Sequence, residues 1–358
     1  MKKKIILRLS NEIGNQMFMY ASAYSLAKKM NRELFLDNET AFLRKQNISK
    51  YGLDNFKISS SIVEDKFKFK NLNGYLRRKI ILKTDFLRTK KRFYIEKKDK
   101  NKITKFDENF INKSFDENLY LEGHYESPKY FNMHTEEIKQ QFRFVKEANF
   151  NQIPIYEQIN NSKSIGICIR QNRFNEGVGR DSDENINKSE NYSKEQIRYI
   201  NKSVDFIRNK VPDSKFYLWS NDYSNIKNEN FNFDVNFVDT SKYKNNLDIR
   251  ALNLFLLSKC KHFIVTPSTF NWNVILLVLG IDTADEEVAI LAAPPSQAAS
   301  VYLTLYLLEL DLIPPFTAVN LVCVSKSVLT AVTSTAAEVV ELFETILNAY
   351  EIQTTLKF

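Results

Sequence analysis

The chain has 358 residues, of which 43% are hydrophobic and 26% are charged, and its formal net charge is +8. This length allows two domains with ordinary hydrophobic cores and excludes a small fold that depends on disulfides. Three widely separated cysteines favour neither a disulfide framework nor a metal knuckle, and they predict a reducing, cytoplasmic location (Cys168, Cys260 and Cys323). No segment has the roughly 20 uninterrupted apolar residues of a membrane span.

The first elements are a short apolar strand and a helix. Ile5-Ile6-Leu7 follows three lysines, and Arg8 ends the apolar run too early for a signal peptide. A break at Gly14-Asn15-Gln16 leads into a helix with apolar residues at helical spacing. "ELFLD" at residues 33–37 is a second strand. This order predicts a nucleotide-fold-like domain over residues 1–155.

A basic insertion interrupts this domain at residues 66–105, where 16 Lys or Arg stand against three acidic residues. Within it, "YLRRKIILKTDFL" interleaves apolar and cationic residues, as an interfacial amphipathic helix does. A solvated helix that packs its apolar side on its own domain has the same pattern. A peripheral position at the inner membrane, through an anionic surface, is the functional alternative. No nucleic-acid motif accompanies the charge, and we expect no nucleic-acid partner.

From residue 162 onward, strands and helices alternate, which predicts a mostly parallel sheet in a second domain over residues 162–358. The turn-rich segment 151–163 separates the two domains. Ser193 and Gln196 have capping-box spacing and predict that a helix begins at Ser193. The expected strands read "SIGICIR", "KFYLW", "FDVNFVD" and "HFIVT", and "DIRALNLFLLSKC" is a further helix.

Polar residues follow several of these strands. Arg170, Asn221-Asp222 and Ser268-Thr269 come at predicted carboxyl ends. Nucleotides in parallel α/β sheets bind at that edge, with phosphates against helix N-termini. Together these residues predict a phosphate site.

The composition changes after Leu277. Residues 278–358 contain Lys326 and Lys357 as their basic residues and are rich in Ala, Val, Leu and Thr. Either a buried C-terminal subdomain or an end of different origin accounts for this tail.

The motifs resemble those of the family 11 glycosyltransferases, the inverting alpha-1,2-fucosyltransferases that use GDP-fucose. "GNQMFMYA" from Gly14, "LEGHYESPKYF" at residues 121–131, "CIRQNR" at residues 168–173, and the stretch from Asp248 to Trp272 follow the family pattern in order. The resemblance covers residues 1 to about 275. It implies an α/β, GT-B-like architecture in which two Rossmann-like domains face each other across a cleft.

The resemblance also implies roles for particular residues. Arg170 would grip the donor's pyrophosphate, Asp248 would contact guanine, and the hydroxyls and amides of Ser268 and Thr269 would meet phosphate. Asn221 and Asp222 complete the predicted donor site. On the other side of the cleft, Gly14, Asn15 and Gln16 would face sugar hydroxyls.

The chain departs from the family pattern at the donor motif. Cys168 replaces the family histidine, Gln171 replaces the second arginine, and Asn172-Arg173 replaces Gly-Asp. Arg173 is the candidate to restore the lost cation. Trp272 alone represents the family's tryptophan pair.

The expected reaction needs a cation for the leaving group and a base for the acceptor. A fixed guanidinium stabilises a departing pyrophosphate without a metal, and we expect neither a metal nor a cofactor besides the donor. Candidates for the base lie in one stretch, at Glu122, His124 and Glu126. The acceptor would be an oligosaccharide or lipid-linked glycan of a bacterial surface. A related transferase with another nucleotide sugar, and a non-catalytic nucleotide- or glycan-binding relative, are the alternatives.

Overall fold

The structure is a computed structural model that describes residues 3–43, 49–97, 106–108, 110, 113–176, 179–266, 268, 270–271 and 290–292. Thr269, Trp272 and nearly all of the tail at 278–358 lie outside the described residues, as does part of the basic insertion. None of the helices in the described part of the chain is both long and apolar enough to cross a bilayer.

Five parallel strands form the first sheet, in the order β3-β2-β1-β5-β4. The apolar run at the start is its central strand, and "ELFLD" lies beside it, as the sequence predicts. The elements of this half are β1 (Lys4–Arg8), α1 (Ile13–Lys29), β2 (Glu33–Asp37), β3 (Ser61–Ile62), α2 (Leu72–Asp85), β4 (Lys91–Ile95) and β5 (Phe115–Glu122).

Five more parallel strands form the second sheet, in the order β10-β9-β6-β7-β8. The prediction of mostly parallel sheets is confirmed. The remaining elements are α3 (Thr135–Gln141), α4 (Glu147–Phe150), α5 (Pro154–Asn160), β6 (Ser164–Ile169), α6 (Asp183–Lys210), β7 (Lys215–Ser220), β8 (Val235–Phe237), α7 (Ile249–Ser258), β9 (His262–Val265) and β10 (Ile290–Ala292). The strands of the two sheets fall on either side of the predicted linker, and the domain limits themselves stay predictions.

Helix α1 lies inside the first domain rather than on its surface. Thirteen of its seventeen residues are buried, which is typical of a helix covered on all sides. Tyr20 is fully buried, and its hydroxyl donates to the Gln141 side chain. The loop in front of α1 is therefore anchored to the core.

Helix α6 begins ten residues earlier than the capping-box spacing predicts. Ser182 is its N-cap, and the Ser182 hydroxyl accepts a hydrogen bond from Asn185 N at 3.3 Å. Ser193 lies inside the helix, where its hydroxyl donates to Ser189 O at 3.0 Å. The expected start at Ser193 is wrong. The first turns of α6 are mostly polar and lack helical apolar spacing, so the sequence pattern detected only the later part of the helix.

Helix α7 packs against the first half of the chain. The ring of Phe255 lies 5.3 Å from Phe144, 5.2 Å from Phe150 and 5.8 Å from Tyr156, between centroids. Lys259, just after the helix, pairs with Glu147 at 2.8 Å. These contacts pack α7 against α4, α5 and the segment just before them.

Candidate active site

The main chain of Arg170 is held at the carboxyl end of β6 by a side chain from α6. Gln196 Oε1 accepts from Arg170 N at 3.0 Å, and Gln196 Nε2 donates to Arg170 O at 2.9 Å. Gln196 is buried. Both backbone groups of the arginine are thus satisfied at a fixed point of the sheet edge, and the guanidinium projects from there.

The guanidinium of Arg170 pairs with the carboxylate of Glu176, six residues further on. The Arg170 side chain is 41% exposed, so the pair lies where a ligand can reach it. An anion that binds Arg170 through paired hydrogen bonds competes directly with Glu176.

Asn221 and Asp222 hold the loop that follows Arg170. Asn221 Oδ1 accepts from Gln171 N at 2.7 Å, and Nδ2 donates to Gln171 O at 3.1 Å. Asp222 accepts from Ser224 N at 2.9 Å and from Asn172 Nδ2 at 2.8 Å. These hydrogen bonds lower the pKa of Asp222, with the backbone bond from Ser224 the largest cause. Their polar atoms therefore shape the loop, and their part in donor binding stays a prediction.

Arg173 lies on the α6 side of this loop, against Tyr192. Its guanidinium carbon lies 5.3 Å from the ring centroid of Tyr192. Burial raises the pKa of Tyr192, while the charges of Arg173 and Arg170 both work to lower it. The two arginines therefore share one neighbourhood.

The end of β9 approaches the end of β6. Thr266 Oγ1 donates to Cys168 O at 2.5 Å, and Asn271 Nδ2 donates to Thr266 O at 2.8 Å. Ser268 Oγ accepts from Asn271 N at 3.2 Å, as a helix cap does. Burial raises the pKa of the Cys168 thiol, which keeps it protonated rather than available as a base in the family histidine's place.

His124 lies just beyond the carboxyl end of β5, at the corresponding edge of the first sheet. Its Nε2 is 2.6 Å from Asn11 Nδ2, and its Nδ1 is 3.3 Å from Glu126 Oε1. Because an amide nitrogen can only donate, Nε2 is the acceptor and the ring proton lies on Nδ1, facing Glu126. This arrangement fits a base whose tautomer is fixed by a carboxylate.

The backbone around His124 leaves little freedom. Glu96 accepts from His124 N at 2.7 Å and from Tyr125 N at 3.1 Å, and burial raises the pKa of Glu96 despite these bonds. Gly123 has φ +153°, and a Cβ there would lie 2.4 Å from Glu96 Cβ. Only glycine fits this position.

Glu12, the N-cap residue of α1, is a charged group that sequence reasoning missed. Its Oε2 lies 3.6 Å from Arg250 Nη1, and its side chain is 46% exposed. Burial raises the pKa of Glu12, while the charges of Arg250 and Arg170 act in the opposite direction. Asn11 contacts His124, and the adjacent Glu12 contacts Arg250, while the charge of Arg170 acts on it. That the candidate base and the candidate donor arginine face the same space stays a prediction. An acidic residue directly before Ile13-Gly14 was the available signal.

The structure places Asp248 at the start of α7 as its N-cap residue, and the expected guanine contact stays a prediction. Asp248 caps α7 by accepting from Arg250 N at 3.0 Å, and its Oδ2 pairs with Arg250 Nη2 at 2.7 Å. Burial acts to raise the pKa of Asp248, but the hydrogen bonds and charge of Arg250 outweigh it and the pKa is lowered. Asn55 Nδ2 also donates to this carboxylate, at 3.3 Å. Its hydrogen-bonding capacity is largely used within the protein.

Gln16 does not face a sugar. It is fully buried. Its Nε2 donates to Asn11 O at 2.7 Å and to Lys50 O at 2.9 Å, while Oε1 accepts from Gly52 N at 3.0 Å. The expectation for Gln16 is corrected because every polar atom of the side chain bonds to loop backbone. Gly14 is buried and Asn15 is partly exposed in the first turn of α1.

Comparison with known proteins identifies relatives over most of the chain. The model of glycosyl transferase family 11 matches residues 1–299. An Escherichia coli alpha-1,2-colitosyltransferase is 24% identical over 277 residues, which cover 75% of this chain and 85% of the relative. The O-antigen biosynthesis glycosyltransferase WbnK of Escherichia coli is 23% identical over 279 residues, with 74% and 87% covered.

A solved structure shows the same fold. A mutant of Arabidopsis thaliana FUT1 in complex with GDP aligns with a TM-score of 0.50 and 13% identity over 83% of this chain and 72% of that one. At this identity the likeness concerns the fold alone, and it agrees with the GT-B-like architecture expected from the sequence. The family match spans far more than half of the sequence, and the chain is therefore a glycosyltransferase that belongs to glycosyl transferase family 11.

Proposed function

We propose that this glycosyltransferase moves L-fucose from GDP-fucose to the 2-hydroxyl of a galactoside-type acceptor in a bacterial surface glycan, with inversion and without a metal. The observation that carries the proposal is the position of Arg170, which Gln196 holds by its main chain at the sheet edge where nucleotides bind. The names of the two Escherichia coli relatives support a 1,2 linkage and an O-antigen type of acceptor.

Arg170 would stabilise the leaving group. As the bond from the sugar carbon to the β-phosphate oxygen breaks, GDP departs with the electron pair and gains negative charge. A guanidinium offers two parallel N–H donors to phosphate oxygens and stays charged at any working pH. Arg173, near the same tyrosine as Arg170, would add a second positive charge.

His124 would accept the acceptor's proton. Its Nε2 already accepts a hydrogen bond from Asn11, and Glu126 faces the proton on Nδ1. An acceptor hydroxyl that replaces the Asn11 amide would give its proton to Nε2 as its oxygen bonds to the sugar carbon. Glu126 would then face the resulting imidazolium, which a carboxylate stabilises.

A second donor is favoured by one specific comparison. The relative with 24% identity is named as a colitosyltransferase, and colitose is the 3-deoxy counterpart of L-fucose. The same leaving group and base would serve both sugars. Selection between fucose and colitose would therefore depend on the pocket around the 3-hydroxyl.

The decisive experiment is calorimetric titration of GDP, UDP, GDP-fucose and GDP-colitose with EDTA present, for the wild type and Arg170→Ala. We expect guanine nucleotides to bind and UDP to fail. The loss of a charged hydrogen-bond donor should weaken GDP by about 10- to 150-fold, since such bonds contribute about 1.5–3 kcal/mol.

Arg198→Ala is the matched control, because Arg198 lies on α6, has a 68% exposed side chain and makes only a 3.9 Å contact with Glu195. It should bind GDP as the wild type does. Equal weakening in both variants, or tight UDP binding, would remove the donor assignment. If GDP binds but neither sugar nucleotide is transferred or slowly hydrolysed, the protein is a non-catalytic relative instead.

A further inference from the structure

The exposed apolar side chains of this protein are concentrated on one segment. Of the twelve large hydrophobic residues that are exposed in the described part of the chain, half lie between residues 72 and 87. We call their exposed face the α2 surface. It comprises Leu72, Tyr75, Leu76, Ile80, Phe86 and Leu87, together with the exposed cations Lys79, Lys83 and Lys90.

The apolar members of the α2 surface form a row. Leu72, Leu76 and Ile80 recur at a spacing of four and are 72%, 48% and 62% exposed, so they lie along one side of the helix. Phe86 and Leu87 follow the helix end and are about three-quarters exposed. Single exposed apolar residues are ordinary, whereas a contiguous patch marks an interaction site.

The helix is attached to its domain by polar contacts. Arg78 donates to both carboxylate oxygens of Glu122, at 2.9 and 2.5 Å. The buried Asp85 carboxylate accepts from Arg92 N at 2.9 Å and from Phe93 N at 3.1 Å. Gly74 and Asp85 are the buried residues of α2. The sequence alternative in which the apolar side packs on its own domain holds only for the partly buried Ile81 and Leu82, whereas Leu76, Ile80, Phe86 and Leu87 stay exposed.

The cations of the α2 surface indicate the charge of its partner. Lys79, Lys83 and Lys90 are exposed beside the apolar row, and the Lys79 ammonium lies 4.6 Å from the ring centroid of Tyr75. Apolar residues flanked by lysines on one helix face match the two layers of an anionic lipid surface, with acyl chains below and phosphates above.

We propose that the α2 surface binds the surface of an anionic phospholipid bilayer. The apolar row enters the boundary between headgroups and acyl chains, and the lysines pair with lipid phosphates. The opposite side of α2 is fixed through Arg78 to Glu122, two residues before His124. Binding therefore holds the His124 edge of the first sheet near the bilayer. That this edge meets a lipid-linked acceptor there rests on the proposed function, but the lipid contact itself does not.

Vesicle flotation tests the proposal without nucleotide or acceptor. We expect the full chain to float with vesicles of 30% phosphatidylglycerol in phosphatidylcholine, to float far less with phosphatidylcholine alone, and to be released by high salt. Ile80→Glu should lower the partition coefficient by at least about tenfold, because it removes an apolar contact and adds a repelled charge. Lys79→Glu should also weaken binding to the anionic vesicles.

Two controls match these variants on another helix. Phe206→Glu replaces an apolar side chain that is 43% exposed on α6, and Lys202→Glu replaces an exposed lysine there. Both should float as the wild type does, and circular dichroism should show unchanged folding in all four variants.

A fluorescent reporter makes the contact site visible. The emission of Phe86→Trp should shift to the blue on addition of anionic vesicles and should be quenched by brominated acyl chains. Absence of wild-type flotation, equal flotation with phosphatidylcholine alone, or flotation that Ile80→Glu leaves intact would overturn the proposal. The proposal would also be overturned if sedimentation analysis showed that the wild type is a dimer and that Ile80→Glu is a monomer, because the α2 surface would then join two copies of the chain.

Discussion

Arg250 is the side chain whose removal should most weaken the junction between the two halves of the chain. It donates to Lys50 O at 3.0 Å and to Tyr51 O at 3.3 Å, and it pairs with Asp248 at 2.7 Å. Arg250→Met keeps much of the aliphatic stem and removes every one of these bonds. Lys50 and Tyr51 belong to the same loop that Gln16 holds, so the change acts on both sides of the junction.

The magnitude follows from what the substitution leaves behind. The side chains of Arg250 and Asp248 are only 21% and 17% exposed, and breaking a buried pair costs about 3–5 kcal/mol because one charge stays behind. Asp248 retains the bonds from residue 250 N and from Asn55, which reduces the loss. The half-exposed Glu12 contact contributes little. We expect a loss of about 3 kcal/mol in the free energy of unfolding at neutral pH.

The pH dependence has a definite sign. The pKa of Asp248 is lowered in the folded protein, so its stabilising contribution is present above its unfolded pKa of about 4 and is lost as the pH falls through the lower folded value. In Arg250→Met the two largest causes of the lowering, the side-chain hydrogen bonds and the charge of Arg250, are absent. The stability difference between wild type and variant should therefore be full at pH 7 and should shrink below about pH 4.

Urea unfolding followed by fluorescence of the buried Trp219 measures these quantities. Arg198→Met is the control and should lose no more than about 0.5 kcal/mol, because its ion pair is exposed. Asp248→Asn should partly rescue Arg250→Met, since it removes the orphaned charge. A loss under about 1 kcal/mol in Arg250→Met, or strict additivity in the double variant, would refute this reasoning.

Two further predictions concern the site itself. Gln196→Leu leaves Arg170 N and O without their partners, so it should lower the free energy of unfolding by about 1–3 kcal/mol and weaken GDP binding. Calorimetry measures both quantities. The control Gln158→Leu, at an exposed position, should change neither. His124→Gln should lower the transfer rate by about 10²–10⁴-fold with GDP affinity unchanged in titration. His134→Gln, which removes a ring bonded to Ser25 at 2.9 Å, should retain transfer, and equal loss in both histidine variants would contradict the assignment of the base.

The fold could be predicted from the sequence where a local pattern determines it. Short apolar runs identified the strands Glu33–Asp37 and Lys215–Ser220, and the apolar segment from Ile249 identified α7. The start of α6 could not be found in this way. Its first ten residues are mostly polar, and Ser189 and Tyr192 are buried there by the loop after Arg170 rather than by a periodic face.

The candidate site was predictable in place but not in detail. The strand pattern indicated that Arg170 would lie at a sheet edge, because carboxyl ends of parallel strands share an edge, whereas His124 was found only through the family resemblance. The role of Gln16 was not visible, since its partners Lys50 and Gly52 lie 34 and 36 residues away. The role of Asp248 was not visible either, because the sequence does not distinguish an acidic helix cap from an acidic residue that contacts a ligand.

Glu12, at the start of α1, is a further charged group on which the charge of Arg170 acts. Glu176 pairs directly with Arg170, so a donor phosphate that binds Arg170 as proposed would displace it, whereas the charge of Arg170 acts on Glu12 without a direct ion pair. A carboxylate that stays in place beside the departing sugar can stabilise the positive charge that develops on the sugar in the transition state. Glu12→Gln keeps the shape and removes this charge. Because it is 46% exposed, we expect about a tenfold lower kcat rather than the larger loss typical of a dry site.

The nucleotide affinity should move in the other direction in Glu12→Gln. Removing a negative charge near Arg170 leaves GDP, an anion, bound equally or a few-fold more tightly, so kcat falls while the Kd for GDP does not rise. Steady-state kinetics and titration separate the two effects. Glu184→Gln is the control, because this exposed carboxylate pairs with Lys188 on the first turns of α6 and should leave both quantities unchanged. An unchanged kcat, or weaker GDP binding in Glu12→Gln, would mean that Glu12 serves only to pair with Arg250.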